Sequence, residues 1–253
     1  MIKDYMNLPE EIEGIGSVYP VSIIEWEEFS KLAQRFLLYS YDMIKYKFKI
    51  EQEIPMLDFL FATILQSETE EGRIKGVEEL QQLFSIVLKE EVKAYYDTKS
   101  NEWILIVGEN KGEINRLNFD NLKSVIMRQN LLFEPLIANN DVAQQIIDDA
   151  IKRMSRQGEE VDLESMIASI SVIKGISPQD FQNYSYYQLR ADYEISQRIE
   201  NNRIIHLYRS QGGKAEPIGL ITPLSIHENP YSFDKLFSKV DMNKEMNLQK
   251  MLS

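Results

Sequence analysis

The segment from Glu91 to Pro135 decides the fold, in the order VKAYYD (92–97), TKSN (98–101), EWILIVG (102–108), ENKG (109–112), EINR (113–116) and LNFDNLKSVIMRQN (117–130), and it closes with FEP (133–135). Runs of β-branched and aromatic residues alternate here with turn-type residues, which predicts an antiparallel meander of two or three strands near residues 91–116. Ile104 and Val107 do not share one alternating face. The second strand is therefore expected to be buried on both sides or to bulge near Gly108.

A helix is expected to follow the meander and to cover it, because so few strands bury too little apolar surface to be stable alone. Asn118 is a favourable N-cap residue, and Asp120 falls in the first turn, where the helix dipole favours an anion. Apolar residues then recur at helical spacing from Phe119 to Ile126, and Pro135 lies beyond the expected end of this helix.

The chain before the meander is predicted to be mostly helical. Ser22 and Glu25 form a capping-box pattern before an apolar helical face at residues 23–37, whereas residues 38–50 fit either a helix or a strand. The segment after Pro55 is apolar almost all round, which predicts a central helix. An acidic turn, SETEEG (67–72), should then precede an amphipathic helix at residues 74–88.

The first twenty residues carry weaker signals. Residues 8–21 contain two prolines and two glycines, which predicts an irregular extended segment with at most one short strand. Gly14-Ile15-Gly16 indicates a structural turn and not a phosphate loop, because no third glycine, no following lysine and no preceding strand accompany it.

After Pro135 the sequence predicts a helical unit and then an arm. Polar segments at 136–142 and 155–162 are the expected boundaries around a short amphipathic helix. Further helices should end at Gly175, restart at Ser177 and break near Ser185 before a last helix that runs to about Arg209. The fold class is therefore α+β and predominantly helical, with an α+β domain at 1–135, a helical domain at 136–213 and a proline-broken arm at 214–253.

Composition restricts the classes of function. The 253 residues include 40 acidic and 28 basic side chains, and the net charge of −12 opposes non-specific binding to nucleic acid. The absence of cysteine excludes disulfides and thiolate metal sites, and is compatible with a reducing compartment. No run approaches the roughly 18 apolar residues of a membrane span. We expect a cytosolic protein with no nucleic-acid or membrane partner.

No residue pattern predicts chemistry. His206 falls within an expected helix, His227 lies beside Glu228 without identifiable metal-binding partners, and the pairs Asp148-Asp149 and Glu159-Glu160 fit solvated surfaces. Phosphate-loop, nucleophile-elbow, zinc and calcium motifs are absent from the sequence. We therefore expect no catalytic, cofactor-binding or metal-binding residues, and no enzyme.

Aromatic and aliphatic residues near the C-terminus are the candidates for binding a partner. Tyrosine gives a large contact area with a polar tip, which favours an interface role for Tyr186 and Tyr187. The arm carries a short helical stripe of apolar residues at Phe233, Leu236, Phe237 and Val240. Two alternatives stay open, since such an arm can lie on its own body or dock on a partner.

The order of GIGSVYP (14–20), PMLDFLF (55–61), EEVKAYYD (90–97), EWILIVG (102–108) and INRLNFDNLKSVIMRQN (114–130) resembles a family of phage and prophage proteins of Gram-positive hosts, the tail assembly chaperones. The resemblance is one of pattern and extends to about Gly213. It implies a protein of the host cytoplasm that binds the tape-measure protein or tail-tube components during assembly, without catalytic residues. A structural virion component, an inhibitor of a host protein and an enzyme with an unfamiliar site stay as alternatives, and so do monomer and oligomer.

Overall fold

The computed structural model describes residues 2–50, 54–109, 112–138, 140–157, 161–219 and 222–237, with the backbone alone described at 154–157. The helices are α1 (Ile2–Tyr5), α2 (Ile23–Phe36), α3 (Tyr41–Phe48), α4 (Met56–Leu65), α5 (Glu70–Leu88), α6 (Phe119–Gln129), α7 (Asp141–Gln157), α8 (Leu163–Lys174), α9 (Tyr186–Ser210) and α10 (Phe233–Phe237). The strands are β1 (Glu10–Ile12), β2 (Gly16–Val18), β3 (Val92–Asp97), β4 (Glu102–Val107) and β5 (Gly112–Ile114), and Pro178–Asn183 and Ser225–His227 are 3₁₀ segments. The predicted class, α+β with mainly helical content and a small antiparallel sheet, is confirmed.

The meander forms as the order β3-β4-β5, and β3 pairs with β4 residue for residue along its whole length. Leu105 and Val107 are buried, whereas Ile104 and Ile106 are half-buried. The second strand therefore has one buried face and one partly covered face, and its pairing with β3 contains no bulge. The chain turns only afterwards, at Gly108, whose φ is 58°.

Helix α4 lies at the centre of the main hydrophobic core, as its apolar circumference predicts. Its side chains Met56, Leu57, Phe59, Leu60, Phe61 and Ile64 are buried. Phe61 stacks on Trp103 of β4 with ring centroids 4.5 Å apart and planes 10° from parallel. The helix thus supplies the apolar surface that the three-stranded meander lacks.

The N-terminal segment is more regular than the sequence indicates. In place of at most one strand, β1 and β2 pair with each other as an antiparallel hairpin. Gly14 and Gly16 lie in its turn with φ of 78° and 119°, in the left-handed region that favours glycine. The Gly14 carbonyl accepts a hydrogen bond of 2.8 Å from the Glu113 N–H, which joins this turn to β5. A Cβ at Gly112 would lie 2.2 Å from the Ile15 carbonyl oxygen, so the contact depends on glycine.

One helix settles an alternative that the sequence left open, and another begins earlier than the sequence predicts. Residues 41–48 are helical, and the Ser40 hydroxyl accepts from the Met43 N–H at 3.1 Å. Helix α5 begins at Glu70, inside the segment predicted to be a turn. The reason is that the Thr69 hydroxyl caps the helix through the Gly72 N–H, while the acidic residues of the segment suit a first helical turn.

The C-terminal helices begin and end close to the predicted residues. Helix α8 ends at Lys174, where Gly175 follows as the C-cap with φ of 67°, and Pro178–Asn183 restarts the chain as a 3₁₀ segment. Ser185 then forms a capping box with Gln188 at the start of α9, which confirms the predicted break. Helix α7 extends to Gln157, within the second predicted boundary, and residues 158–160 lie outside the described part of the chain. The domain division itself stays a prediction.

Candidate functional site: an aromatic cleft

A cleft of about 830 Å³ lies between α2, the segment after α6, the start of α8, the first half of α9 and the arm. Five aromatic side chains line it: Trp26, Phe133, Tyr186, Tyr193 and Tyr231. We call it the aromatic cleft. Its walls come from residues that are far apart in the sequence, so the folded chain is needed to assemble it.

The floor of the cleft is a stacked pair, Trp26 of α2 and Tyr186 of α9. Their ring centroids are 3.7 Å apart and their planes are 11° from parallel. Burial raises the pKa of the Tyr186 hydroxyl, and the nearby Arg190 guanidinium opposes that rise. The pair therefore presents a flat, partly desolvated surface with a positive charge beside it.

Main-chain contacts hold α2 and α9 in this position. The Ile23 N–H donates to the Tyr184 carbonyl at 2.9 Å, and the Tyr186 N–H donates to the Val21 carbonyl at 3.3 Å. These two bonds flank a bridge between Ser22 and Ser185. A short antiparallel pairing thus places the first turns of both helices side by side.

Ser22 does not cap α2 in the predicted way. Its hydroxyl donates to the Glu25 carboxylate at 2.6 Å and accepts no backbone N–H of the first turn. The Glu25 carboxylate also binds Lys89. Burial raises the pKa of the Glu25 carboxyl, but the hydrogen bonds from Lys89 and Ser22 lower it by more, so that the pKa lies below the ordinary value.

A buried asparagine supports the pairing from the core side. Asn130, at the end of α6, is fully buried, and its Oδ1 accepts from the Val21 N–H at 2.9 Å. Its Nδ2 donates to the Ile126 carbonyl at 2.8 Å. Because the Val21 carbonyl accepts from the Tyr186 N–H, Val21 connects Asn130 and the main core to the stacked pair of the cleft.

Polar groups lie at intervals along the cleft. Gln34 and Arg190 line it from α2 and α9, and Asp162 lines it at the start of α8. The Asp162 side chain accepts from the Ser165 N–H at 2.7 Å, and this backbone hydrogen bond is the first cause of its lowered pKa. Flat rings with a few such groups can receive apolar side chains while hydrogen-bonding the main chain that carries them.

The second part of the described arm, residues 222–237, lies on the body of its own chain. Ile226, Pro230 and Tyr231 form one wall of the cleft. Of the two alternatives for the arm, residues 222–237 therefore adopt the intramolecular one, whereas residues 214–219 are mostly exposed. Whether a partner also uses the arm stays a prediction.

Five of the six residues predicted to bind a partner are described, and they are divided among three places. Tyr186 lines the cleft, and Tyr187 is buried, with its hydroxyl 2.9 Å from His227 Nε2. Phe233, Leu236 and Phe237 pack on α7, against apolar side chains that include Ala143 and Ile147. Val240 lies outside the described residues.

Sequence reasoning missed most of the cleft. Tyr186, Arg190 and Tyr193 recur at i, i+4 and i+7 on α9, and this spacing alone could have marked a shared face. No local signal could have brought Trp26 to that face. Its position in an apolar helical stripe indicated only that it is buried.

The described residues contain no group of three or more histidine, aspartate and glutamate side chains placed to hold a metal ion. His206 is exposed on α9, and His227 contacts Tyr187. Within the same residues no helix combines the length and the apolarity needed to cross a bilayer. Comparisons with known protein families, with curated proteins and with solved structures found no match to this chain.

Proposed function

We propose that this chain is a non-enzymatic binding protein that holds an apolar segment of another polypeptide in the aromatic cleft. The observation that carries the proposal is the stacked Trp26–Tyr186 pair, whose half-buried rings line the cleft. In the finer form of the proposal, the chain is a tail assembly chaperone of a tailed phage. It acts in the host cytoplasm, and its client is the tape-measure protein or a tail-tube component.

The composition of the cleft supports a protein client. Tryptophan, tyrosine and arginine are the residues that contribute most binding energy at protein interfaces, because they combine large area with a polar tip. Trp26, Tyr193 and Arg190 provide these three types in one cleft. A client would place apolar side chains on the rings and main-chain carbonyls near the guanidinium.

The net charge of −12 supports a chaperone role in a different way. A strongly charged carrier keeps a complex in solution while it covers an apolar segment of its client. The same charge favours a client segment that is basic as well as apolar, since opposite charges speed association.

Co-expression with the tape-measure protein of the same genome tests the proposal. We expect the wild-type chain to increase the soluble fraction of that protein and to co-purify with it. Trp26→Ala and Tyr193→Ala should each reduce co-purification, whereas Tyr95→Ala, which removes an exposed tyrosine on β3 outside the cleft, should not.

Two results would contradict the proposal. Failure of the wild-type chain to solubilise or retain any tail protein would reject the chaperone role. Equal losses in the cleft variants and in the Tyr95→Ala control would reject the cleft as the binding site. Recovery of the chain in purified particles would instead identify a structural component of the virion.

A further inference from the structure

The arm wall of the cleft is held on α9 by hydrogen bonds that involve mainly the main chain of the arm. The Glu194 carboxylate accepts from the N–H groups of Ser225 and Ile226, at 2.9 Å and 3.1 Å, and from the Ser225 hydroxyl at 3.0 Å. Only one of these three bonds comes from a side chain of the arm.

Arg198 holds the arm one turn further along α9. Its guanidinium donates to the carbonyls of Thr222 and Pro223, at 2.6 Å and 2.7 Å, and pairs with Glu194 at 2.5 Å. Hydrogen bonds from a charged group are stronger than neutral ones. The Glu194–Arg198 pair therefore carries much of the attachment, although neither residue lines the cleft.

The apolar part of this attachment is small. Ile226 is buried against Tyr187 and Ala191 of α9, and the half-buried Leu224 packs beside them. Ile226 is the only buried residue of the stretch 222–231. Detachment of this stretch would expose one buried aliphatic side chain and would exchange the hydrogen bonds of the Glu194–Arg198 pair for bonds to water. It therefore costs far less than unfolding of the main core.

The arm is also fixed on both sides of this stretch. The Asn202 side chain exchanges two hydrogen bonds of 2.7 Å with the main chain of Ile218. Beyond the cleft, Leu236 and Phe237 of α10 are buried against α7. A stretch that detaches between two such attachments stays near its docking site, so its effective concentration there is high and it docks again readily.

We propose that arm residues 222–231 detach from α9 and dock again in the native protein, while α10 stays on α7. The open state admits a client to the aromatic cleft, and in the closed state Ile226, Pro230 and Tyr231 form the wall that retains it. Glu194 and Arg198 are positioning residues, because they hold this wall and touch no client. Client retention rests on the proposed function of the cleft, whereas the opening of the arm does not.

A single thiol measures the opening without any client. The chain has no cysteine, so Ile226→Cys places its only thiol in the wall of the cleft. Val87→Cys is the matched control, since Val87 is fully buried in the main core. Under native conditions the thiol of Ile226→Cys should react with a soluble aromatic disulfide about a hundredfold faster or more, because it needs only local opening.

Hydrogen exchange of the wild-type chain gives the same measurement without a substitution in the wall. The amides of Ser225 and Ile226 should be protected about a hundredfold less than those of residues 59–64 in α4. Equal protection at the two places, or equal thiol reactivity at positions 226 and 87, would overturn the proposal.

Arg198→Ala tests the positioning role. It removes two charge-assisted bonds to the arm, so the thiol of Ile226→Cys should react about tenfold faster, while that of Val87→Cys should keep its rate. Arg209→Ala is the control on the same helix, because Arg209 is exposed, and it should change neither rate. Equal acceleration at both thiols would mean that Arg198 supports the whole fold, and would overturn the positioning role.

The complex with the tape-measure protein of the same genome tests retention. Arg198→Ala should shorten the half-life of this complex about tenfold without lowering the association rate, whereas a damaged cleft would lower that rate too. Arg209→Ala should leave the half-life unchanged. An unchanged half-life in Arg198→Ala would overturn the retaining role of the arm. If the wild-type chain binds no tail protein, the proposed function fails instead, and the opening of the arm is still decided by the thiol and exchange rates.

Discussion

Replacing Asn130 by alanine should lower stability through a single buried hydrogen bond. The Val21 N–H, on a fully buried residue, loses its acceptor, and leaving such a donor unpaired costs about 1–3 kcal/mol. The Ile126 carbonyl is affected less, because the backbone N–H of residue 130 still donates to it at 3.1 Å. We therefore expect a loss of about 2 kcal/mol, or about 4–8 °C in Tm for a chain of this size.

Urea unfolding followed by far-ultraviolet circular dichroism measures this loss. Asn201→Ala is the control, because Asn201 is exposed on α9 and its substitution should change stability by less than about 0.5 kcal/mol. A change for Asn130→Ala as small as that of the control would refute the reasoning, since it would mean that the Val21 N–H finds another acceptor at little cost.

The same substitution should also alter the cleft. Val21 bonds to Asn130 through its N–H and to Tyr186 through its carbonyl. A Val21 backbone that has lost its bond to Asn130 should therefore hold Tyr186 less firmly in its stack on Trp26. In a Trp103→Phe background, Trp26 is the only remaining tryptophan of the chain. Its fluorescence should report the looser stack under native conditions, and an unchanged spectrum would show that the cleft does not depend on Asn130.

Further predictions concern the arm and the core. Burial raises the pKa of Glu194, but the bonds from Ser225 and Arg198 outweigh it and leave the pKa below its ordinary value of 4.5. Arm docking should therefore be complete above pH 4.5 and be lost as the pH falls through the lowered pKa. The amide NMR signals of Ser225 and Ile226 would report this loss. Glu194→Gln should remove the acid dependence. Gly112→Ala should destabilise the fold by about 1–3 kcal/mol in urea unfolding, because its Cβ meets the Ile15 carbonyl, and a neutral effect would show that the hairpin can move aside. Phe61→Ala should lower the free energy of unfolding by about 3–5 kcal/mol in the same assay, because it removes the buried ring that stacks on Trp103 and leaves a cavity. A loss below about 1 kcal/mol would contradict the central position of α4.

Local signals made much of the fold predictable. Strand and turn residues alternate between Val92 and Ile114 at short range, so that the meander follows from neighbouring residues alone. Ser185 marks the start of α9 because its side chain satisfies an N–H of the first turn, again a local effect. Where a local preference was ambiguous, as at residues 67–72, the acidic composition suggested a turn although the Thr69 cap favoured a helix.

The cleft could not be predicted in the same way, because its geometry depends on contacts between distant segments. Trp26 and Tyr186 each lie in a helix with an apolar face, and the sequence gives no reason to pair those two faces. The role of the Glu194–Arg198 pair could not be predicted from the sequence either. Glu194 and Arg198 have the spacing of an ordinary surface ion pair on a helix, and only the folded arm shows that they bind main-chain atoms.

The arm connects the aromatic cleft to Glu194 of α9. Ile226 and Tyr231 form a wall of the cleft, and the Ile226 N–H donates to the Glu194 carboxylate, so the cleft has this wall only while the arm is docked. Linkage then requires that a ligand that contacts this wall strengthen the docking of the arm by the same factor by which the docked arm strengthens binding of the ligand. Protonation of Glu194, which should undock the arm, should therefore also weaken binding in the cleft.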